Sequence, residues 1–338
     1  MKKVQKRLTK IPGIGLSAVI ALLAIYIESL LPGHYIGATV IAMFLGIIIR
    51  TVYFNEKLFQ EGVQYTSKKI LKGAIVLLGA SLNFSIILEV GSQTLFVLLF
   101  TLFTAFGGGY VLGKFFNINW KLSNMIAAGT AICGGSAIAA MAPAIEAEDA
   151  DVSYAISSTF LFDVLMIVLY PIVGRMLLLS DTFFGYWAGT SINDTSSVVA
   201  ASFAFSEAAG EVATMVKLTR TLAIIPTVLI FSAIYYRKKS QQPHLRKARV
   251  SVSSLIPWFI LFFVLMAALN TLGIIGPGLS EAMKTVSRFL MVVALAAIGL
   301  KTNVSVFVKT GIKPFIHGFL LSSLVVVVSY VVVFMIIG

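Results

Sequence analysis

Long apolar runs, separated by short polar or turn-forming stretches, recur along almost the whole chain. Many approach twenty residues, the length a helix needs to cross a bilayer. Dividing them at turn signals predicts eleven spans: 11–31, 36–53, 70–90, 93–114, 122–145, 152–178, 184–206, 212–236, 254–274, 285–301 and 312–337. Between the second and third spans, Glu56 to Lys69 places Leu58, Phe59 and Val63 on one helical face. That pattern predicts a helix lying along the membrane interface.

Composition agrees with the pattern. Of 338 residues, 58% are hydrophobic and only 12% charged, against about a quarter charged in soluble chains. Mean hydropathy is +0.96. Soluble enzymes, disulfide scaffolds and nucleic-acid binders are excluded as readings of the whole chain. The single cysteine, Cys133, permits no intrachain disulfide and reads best as a small buried residue. Met1 to Lys10 is basic and leads into an apolar run, but no small-residue cleavage site follows, so 11–31 is read as a retained first helix.

The net charge of +12 follows the loops. With a cytoplasmic N-terminus and strict alternation, 22 of the 26 lysines and arginines fall on the cytoplasmic side, Arg175 among them. Only Lys284 and Arg288 fall outside, where Glu146, Glu148, Asp149, Asp151, Glu207 and Glu211 gather. Basic residues stay in cytoplasmic loops, so the expected topology is N-in, C-out.

Two internal matches stand out. Gly79-Ala-Ser-Leu-Asn83-Phe-Ser85, continuing to Gly91, matches Gly299-Leu-Lys-Thr-Asn303-Val-Ser305, continuing to Gly311. The two copies lie in spans of opposite direction, as in the inverted repeats of many secondary transporters; chance recurrence of common membrane-helix residues is the alternative. The second match aligns Ala128-Gly-Thr-Ala-Ile-Cys-Gly-Gly-Ser136 with Ala188-Gly-Thr-Ser-Ile-Asn-Asp-Thr-Ser196 without gaps. Strict alternation makes these two parallel, which does not fit an inverted repeat. Either a re-entrant segment is hidden, or the two share a local task.

These segments carry the candidate chemistry. Gly129, Thr130, Gly134, Gly135 and Ser136 weaken a helix and free backbone groups, which at membrane depth must face protein or a water-filled cavity. A half-helix N-terminus there suits an anion; close helix packing through small residues explains the same stretch. Asn193, Asp194, Thr195 and Ser196 put a carboxylate among hydroxyls, and an intramembrane carboxylate marks a functional site by default. Asp194 and Asp163 are candidates for a coupling cation or proton, and Asn193 and the hydroxyls for ligands of substrate or ion. Lys217 and Arg220 share a helical face and offer positive potential to an anion, or else one of them forms a structural pair with Asp163. Asn83 and Asn303, from the first repeat, are candidates to lie beside the pathway and contact the coupling ion. His34, His244 and His317 have no partner at metal-ligand spacing, and no Walker A, HExxH or GxSxG sequence is present.

The segments LLGASLN (77–83), AGTAICGGSAIAA (128–140), AGTSINDTSSVVAA (188–201), VKLTRTLAIIP (216–226) and AIGLKTN (297–303) resemble the bacterial YeiH-like family of proposed sulfate exporters, over essentially the whole chain. The resemblance implies a plasma-membrane transporter of the bile/arsenite/riboflavin transporter superfamily, with inverted repeats, broken crossing helices and ion-coupled anion transport. Sulfate, sulfite or an organosulfonate is the implied substrate. The odd eleventh helix departs from that superfamily's usual plan.

The expectation is therefore an all-α polytopic membrane protein with about eleven helices, inverted repeats and broken core helices. It is read as one transporter domain over 1–338: N-terminal helices (11–53), an interfacial helix (56–69) and two repeat regions (70–178 and 184–338). No cofactor is expected beyond Na+ or H+ as coupling ion, and the chain is read as no enzyme. Expected partners are a small anion and the lipid bilayer, with a homodimer as a candidate assembly and no nucleic acid. An anion channel and an intramembrane enzyme acting on a lipid-soluble substrate are the rival readings. Clustered carboxylates or a His-bearing interfacial motif would favour the enzyme, and the repeat speaks against the channel.

Overall fold

The computed structural model describes residues 9–30, 38–52, 55–239, 258–301 and 312–337, and every regular element in them is helical. In chain order these are α1 (Ile11–Leu30), α2 (Ala38–Val52), α3 (Glu56–Tyr65), a π-turn (Thr66–Ile70), α4 (Leu71–Gly79) and α5 (Phe84–Phe115). Next come α6 (Trp120–Ala128), a second π-turn (Gly129–Cys133), α7 (Gly135–Ala144), α8 (Asp149–Met176), α9 (Asp181–Ser191) and α10 (Thr195–Phe205). The last are α11 (Glu207–Thr221), α12 (Ile224–Lys239), α13 (Trp258–Thr271), α14 (Pro277–Lys301) and α15 (Ile312–Ile337). Among the described residues six stretches are long and apolar enough to cross a membrane, including α5, α8, α14 and α15. The protein is a polytopic α-helical membrane protein.

The chain forms two compact units, one from 1–88 with 258–305, the other from 89–257 with 306–338. In the first, α1, α2 and α14 share a core of small and branched residues, among them Ile20, Ala21, Ala42, Val293, Ala296 and Leu300. Lipid tails are as apolar as leucine, so helices associate through close van der Waals packing of small residues. Gly46 and Gly299 show this directly: a Cβ on Gly299 would sit 2.1 Å from the Met43 carbonyl oxygen, and one on Gly46 would sit 2.5 Å from that of Ala296. Gly79, the counterpart of Gly299 in the first repeat, packs in the same way against the Phe263 carbonyl at 2.4 Å. Asn303, Ser305 and Gly311 lie outside the described residues.

The boundaries here differ from expectation. Segment 56–69 runs through the π-turn straight into α4, because Val63, Thr66 and Ser67 keep its buried face continuous. The helix stops at Gly79 rather than at 90. Asn83 then starts α5: its Oδ1 accepts from Ser85 N at 2.9 Å and Ser85 Oγ at 2.7 Å, the geometry of an N-cap. Gly91, read as a turn, stays helical inside α5, where a single glycine costs only about 1 kcal/mol.

The second unit corrects the topology. Segments 120–144 and 181–205 are not spans but helical hairpins. α9 and α10 are eleven residues each, so each arm is only about 16 Å long. Both ends of the first hairpin lie together: Lys121 Nζ donates to the Glu146 carbonyl at 2.6 Å, and Asn119 Nδ2 to Asp151 at 2.7 Å. Both ends of the second do too: Ser206 Oγ donates to Asp181 at 2.6 Å, and the rings of Phe184 and Phe205 stack at 4.0 Å. Helix α8, 28 residues and about 42 Å long, starts beside the first mouth and ends beside the second, where Arg175 reaches the Ala204 carbonyl at 3.2 Å. The hairpins therefore enter from opposite faces. Arg175 moves to the face opposite Lys114 and Lys121, and Glu146, Glu148, Asp149 and Asp151 join those lysines. The GT-motif segments that strict alternation made parallel are antiparallel in the fold.

Candidate functional site

The two hairpins meet at their tips. In the gapless alignment of the two segments Gly134 corresponds to Asp194, and these are the residues that touch: a Cβ on Gly134 would lie 3.3 Å from Asp194 Cα. Gly134 has φ 61 and ψ −132, a conformation open essentially to glycine alone. Each tip ends one half-helix and begins another, so orphan carbonyls and orphan amides are presented together at membrane depth.

Two cations cap the carbonyls. Lys217 Nζ donates to Ile132 O at 2.8 Å and to Ile192 O at 3.0 Å, the matched carbonyls of the two hairpins. Arg220 donates from Nε to Ala131 O at 2.5 Å, from Nη1 to Ile192 O at 2.9 Å and Gly189 O at 3.4 Å, and from Nη2 to Thr130 O. Both side chains are completely buried. Helix C-termini favour positive charge, and these two supply it to both hairpins at once. The alternative, an ion pair with Asp163, is not formed: neither cation has a carboxylate within salt-bridge distance among the described residues. Nor do the guanidinium nitrogens face outward as a ready-made anion ligand, because backbone carbonyls occupy all three.

Two carboxylates cap the amides of the second tip. Asp163, buried on α8, accepts from Asn193 N at 2.9 Å and Asp194 N at 2.8 Å, one on each oxygen. Asp194 is the N-cap of α10; its Oδ2 accepts from Ser196 N at 2.8 Å and from Ser196 Oγ. It is half-buried, as are Thr195 and Ser196. The first tip has no such cap. Gly134 has no side chain to offer, and the amides of Gly135 and Ser136 have no partner among the described residues. Gly135 is half-buried and Ser136 exposed, so these amides are reachable. The formal charges of Lys217, Arg220, Asp163 and Asp194 cancel, leaving an uncapped, electropositive N-terminus in a neutral setting.

The fold thus assembles Thr130, Gly134, Gly135, Ser136, Asp163, Asn193, Asp194, Thr195, Ser196, Lys217 and Arg220 around one crossing. Gly129 lies in the π-turn and is a packing position, its Cβ direction blocked by Ile138 at 2.8 Å. Asn83 belongs to the other compact unit, exposed and capping α5. Asn303 lies outside the described residues. Sequence reasoning missed Ser322 on α15, which accepts from Asn193 Nδ2 at 3.2 Å and lies 3.2 Å from Thr130 Oγ1. A polar pair, Ser322-Ser323, in the middle of a strongly apolar span was the available signal. It also missed Tyr170, whose hydroxyl bonds Ser191 and whose ring stacks on Trp187 at 4.2 Å, fixing the second hairpin on α8.

Comparison with known proteins agrees with this membrane architecture. A family model described as conserved hypothetical protein 698 matches residues 12–318. A UPF0324 membrane protein of Clostridium tetani is 50% identical over 329 residues, covering 95% of both chains. A UPF0324 membrane protein of Streptococcus agalactiae serotype V is 43% identical, covering 91% of this chain and 92% of its own. With matches over nearly its whole length, this chain belongs to the conserved hypothetical protein 698 family of UPF0324 membrane proteins.

Proposed function

We propose that the protein is an ion-coupled secondary transporter of a small anion, and that the anion docks at the tip of the first hairpin. The observation that carries this reading is the tip-to-tip meeting of two antiparallel hairpins in which one N-terminus is capped by its own carboxylate and the other is left open. Non-helical backbone at membrane depth persists only where protein or a cavity satisfies it, and broken helices at midplane are where secondary transporters bind substrate. The open amides of Gly135 and Ser136 point positive dipole ends toward an anion. Thr195 stands across the crossing with a hydroxyl to donate, whereas the Ser196 hydroxyl is already given to Asp194. Lys217 and Arg220, fixed by carbonyls, hold positive potential behind the tips without being ligands themselves.

Asp194 is the group that senses the driving ion. Its Oδ2 is committed to the cap, whereas Oδ1 accepts no hydrogen bond among the described residues and is free to take a proton or face a cation. The resemblance to proposed sulfate exporters supports sulfate, sulfite or an organosulfonate as cargo in a bacterial inner membrane. Loop cations Lys114, Lys121, Arg237, Lys238 and Lys239 support a cytoplasmic mouth for the first hairpin.

The test is uptake of labelled sulfate, sulfite and a C2 sulfonate into proteoliposomes, under sodium and pH gradients of either direction. Accumulation above the gradient-free control, lost in Gly134→Ala, is expected. Equal, gradient-independent flux of all three ions would replace the transporter by a channel.

A further inference from the structure

The two carboxylates at the crossing differ in what the protein leaves them to do. Asp163 is saturated: one of its oxygens accepts from Asn193 N and the other from Asp194 N. Asp194 is not. Its Oδ2 accepts from both the backbone and the hydroxyl of Ser196, whereas Oδ1 accepts no hydrogen bond among the described residues. No described lysine or arginine stands within salt-bridge distance of it, because Lys217 and Arg220 are turned onto backbone carbonyls. The residue is half-buried and Oδ1 is not sealed off, so this oxygen is reachable. It also stands beside the open tip. A Cβ on Gly134 would lie 3.3 Å from both Cα and Cβ of Asp194, and the open amides of Gly135 and Ser136 follow Gly134 directly.

We infer that the cargo is an oxyanion carrying its own hydrogen-bond donor, such as a hydroxy- or aminosulfonate, and that Asp194 is the residue that selects it over sulfate. The amides of Gly135 and Ser136 and the Thr195 hydroxyl are donors and call for the oxygens of an anion. An ionised carboxylate offers only acceptor oxygens. Sulfate has no hydrogen to give Oδ1, so its charge meets that of Asp194 with nothing between them, at a depth where water screens little. An anion with a hydroxyl or ammonium group turns the same oxygen into a partner. Sites built to bond a substrate O–H or N–H reject the analogue that lacks it, since their own polar group is then left bare. Charge repulsion adds to that rejection.

This selection rests on the reading of the first tip as the anion site, and it has a consequence for coupling. In the empty crossing Oδ1 is free for a driving proton or cation. With such a cargo bound, the cargo's own hydrogen fills it. Cargo and driving ion then compete for one oxygen, so each weakens the other's binding by the same factor. That is the arrangement of an exchanger, in which one enters as the other leaves.

The test compares two ions of equal charge and similar length: 2-hydroxyethanesulfonate, and propane-1-sulfonate, in which a methyl group replaces the hydroxyl. Equilibrium binding of each, and of sulfate, to the purified full-length protein is measured by calorimetry at one pH and constant ionic strength. 2-Hydroxyethanesulfonate is expected to bind about tenfold or more tightly than either of the others. Asp194→Asn keeps an oxygen for the α10 cap and supplies an amide donor, so the three affinities should draw within about threefold, chiefly by a gain for propane-1-sulfonate and sulfate. A purely structural role of Asp194 would instead lower all three together and leave their ratios unmoved. Equal affinities in the unaltered protein would overturn the selection while leaving the anion site standing. Unchanged ratios in Asp194→Asn would overturn it too, by placing the donor's partner elsewhere. Should none of the three ions bind, the anion site and the selection fall together. Should Asp194→Asn fail to fold, the comparison of ions on the unaltered protein still decides.

Discussion

Arg220→Lys separates a structural cap from an anion ligand. The guanidinium places three different nitrogens on carbonyls of both hairpins, with Nε 2.5 Å from Ala131 O, Nη1 2.9 Å from Ile192 O and Nη2 on Thr130 O. A lysine ammonium keeps the charge but brings a single nitrogen on a shorter fork-free stem. It can serve one or two of these carbonyls, and Ile192 O keeps Lys217, so one or two of the Thr130, Ala131 and Gly189 carbonyls are left bare. Each bare group costs about 1–3 kcal/mol, so the variant should lose about 1–6 kcal/mol of stability. The assay is reversible unfolding of the purified protein in mixed micelles, run beside direct binding of sulfate or sulfite. A substrate-ligand role predicts the opposite pattern: stability nearly intact, affinity reduced. A loss of less than about 1 kcal/mol, together with a tenfold or greater fall in anion affinity, would refute the capping argument.

Lys217→Met should likewise destabilise by about 1–3 kcal/mol, because Ile132 O is stranded whereas Ile192 O keeps Arg220 Nη1, and hydrogen exchange should rise more at the first tip than at the second. Gly134→Ala should cost about 1–3 kcal/mol from the strained backbone angle, push the tips apart by a few tenths of an ångström and abolish uptake; uptake at the parental rate would contradict the tip contact. Asp194→Asn keeps an oxygen for the α10 cap, so it should change stability by less than about 1 kcal/mol while abolishing gradient-driven accumulation; accumulation that persists would remove Asp194 from coupling. In a Cys133→Ala background, single cysteines at Asn117 and Glu148 should react with an impermeant maleimide from one face of the membrane, and those at Asp181 and Glu207 from the other. Opposite-face labelling of 117 and 148 would restore a spanning helix in place of the first hairpin.

The sequence by itself determined the class of protein and the residues of the crossing. Apolar runs of membrane length and scarce charge leave no soluble alternative, and the expense of polar groups in lipid is what makes Asp194, Lys217 and Arg220 conspicuous in a single chain. The gapless match between 128–136 and 188–196 even aligned Gly134 with Asp194, the two residues that meet. What it left open was direction. Two hairpins read as two spans keep every later helix on its proper side, since two parity errors cancel. Only α8, between them, is inverted, and it carries one basic residue near its end, Arg175, so the charge asymmetry hardly registers the mistake. Tertiary structure decided that point by bringing Lys121 to Glu146 and Ser206 to Asp181. It also decided who pairs with whom. From composition, two cations and a carboxylate at membrane depth suggest ion pairs; in the fold the cations serve helix C-termini and the carboxylates serve amides. The physical reason is that a broken helix exposes backbone groups of both signs at fixed places in space. Side chains from distant segments settle on them according to a geometry that linear spacing does not encode.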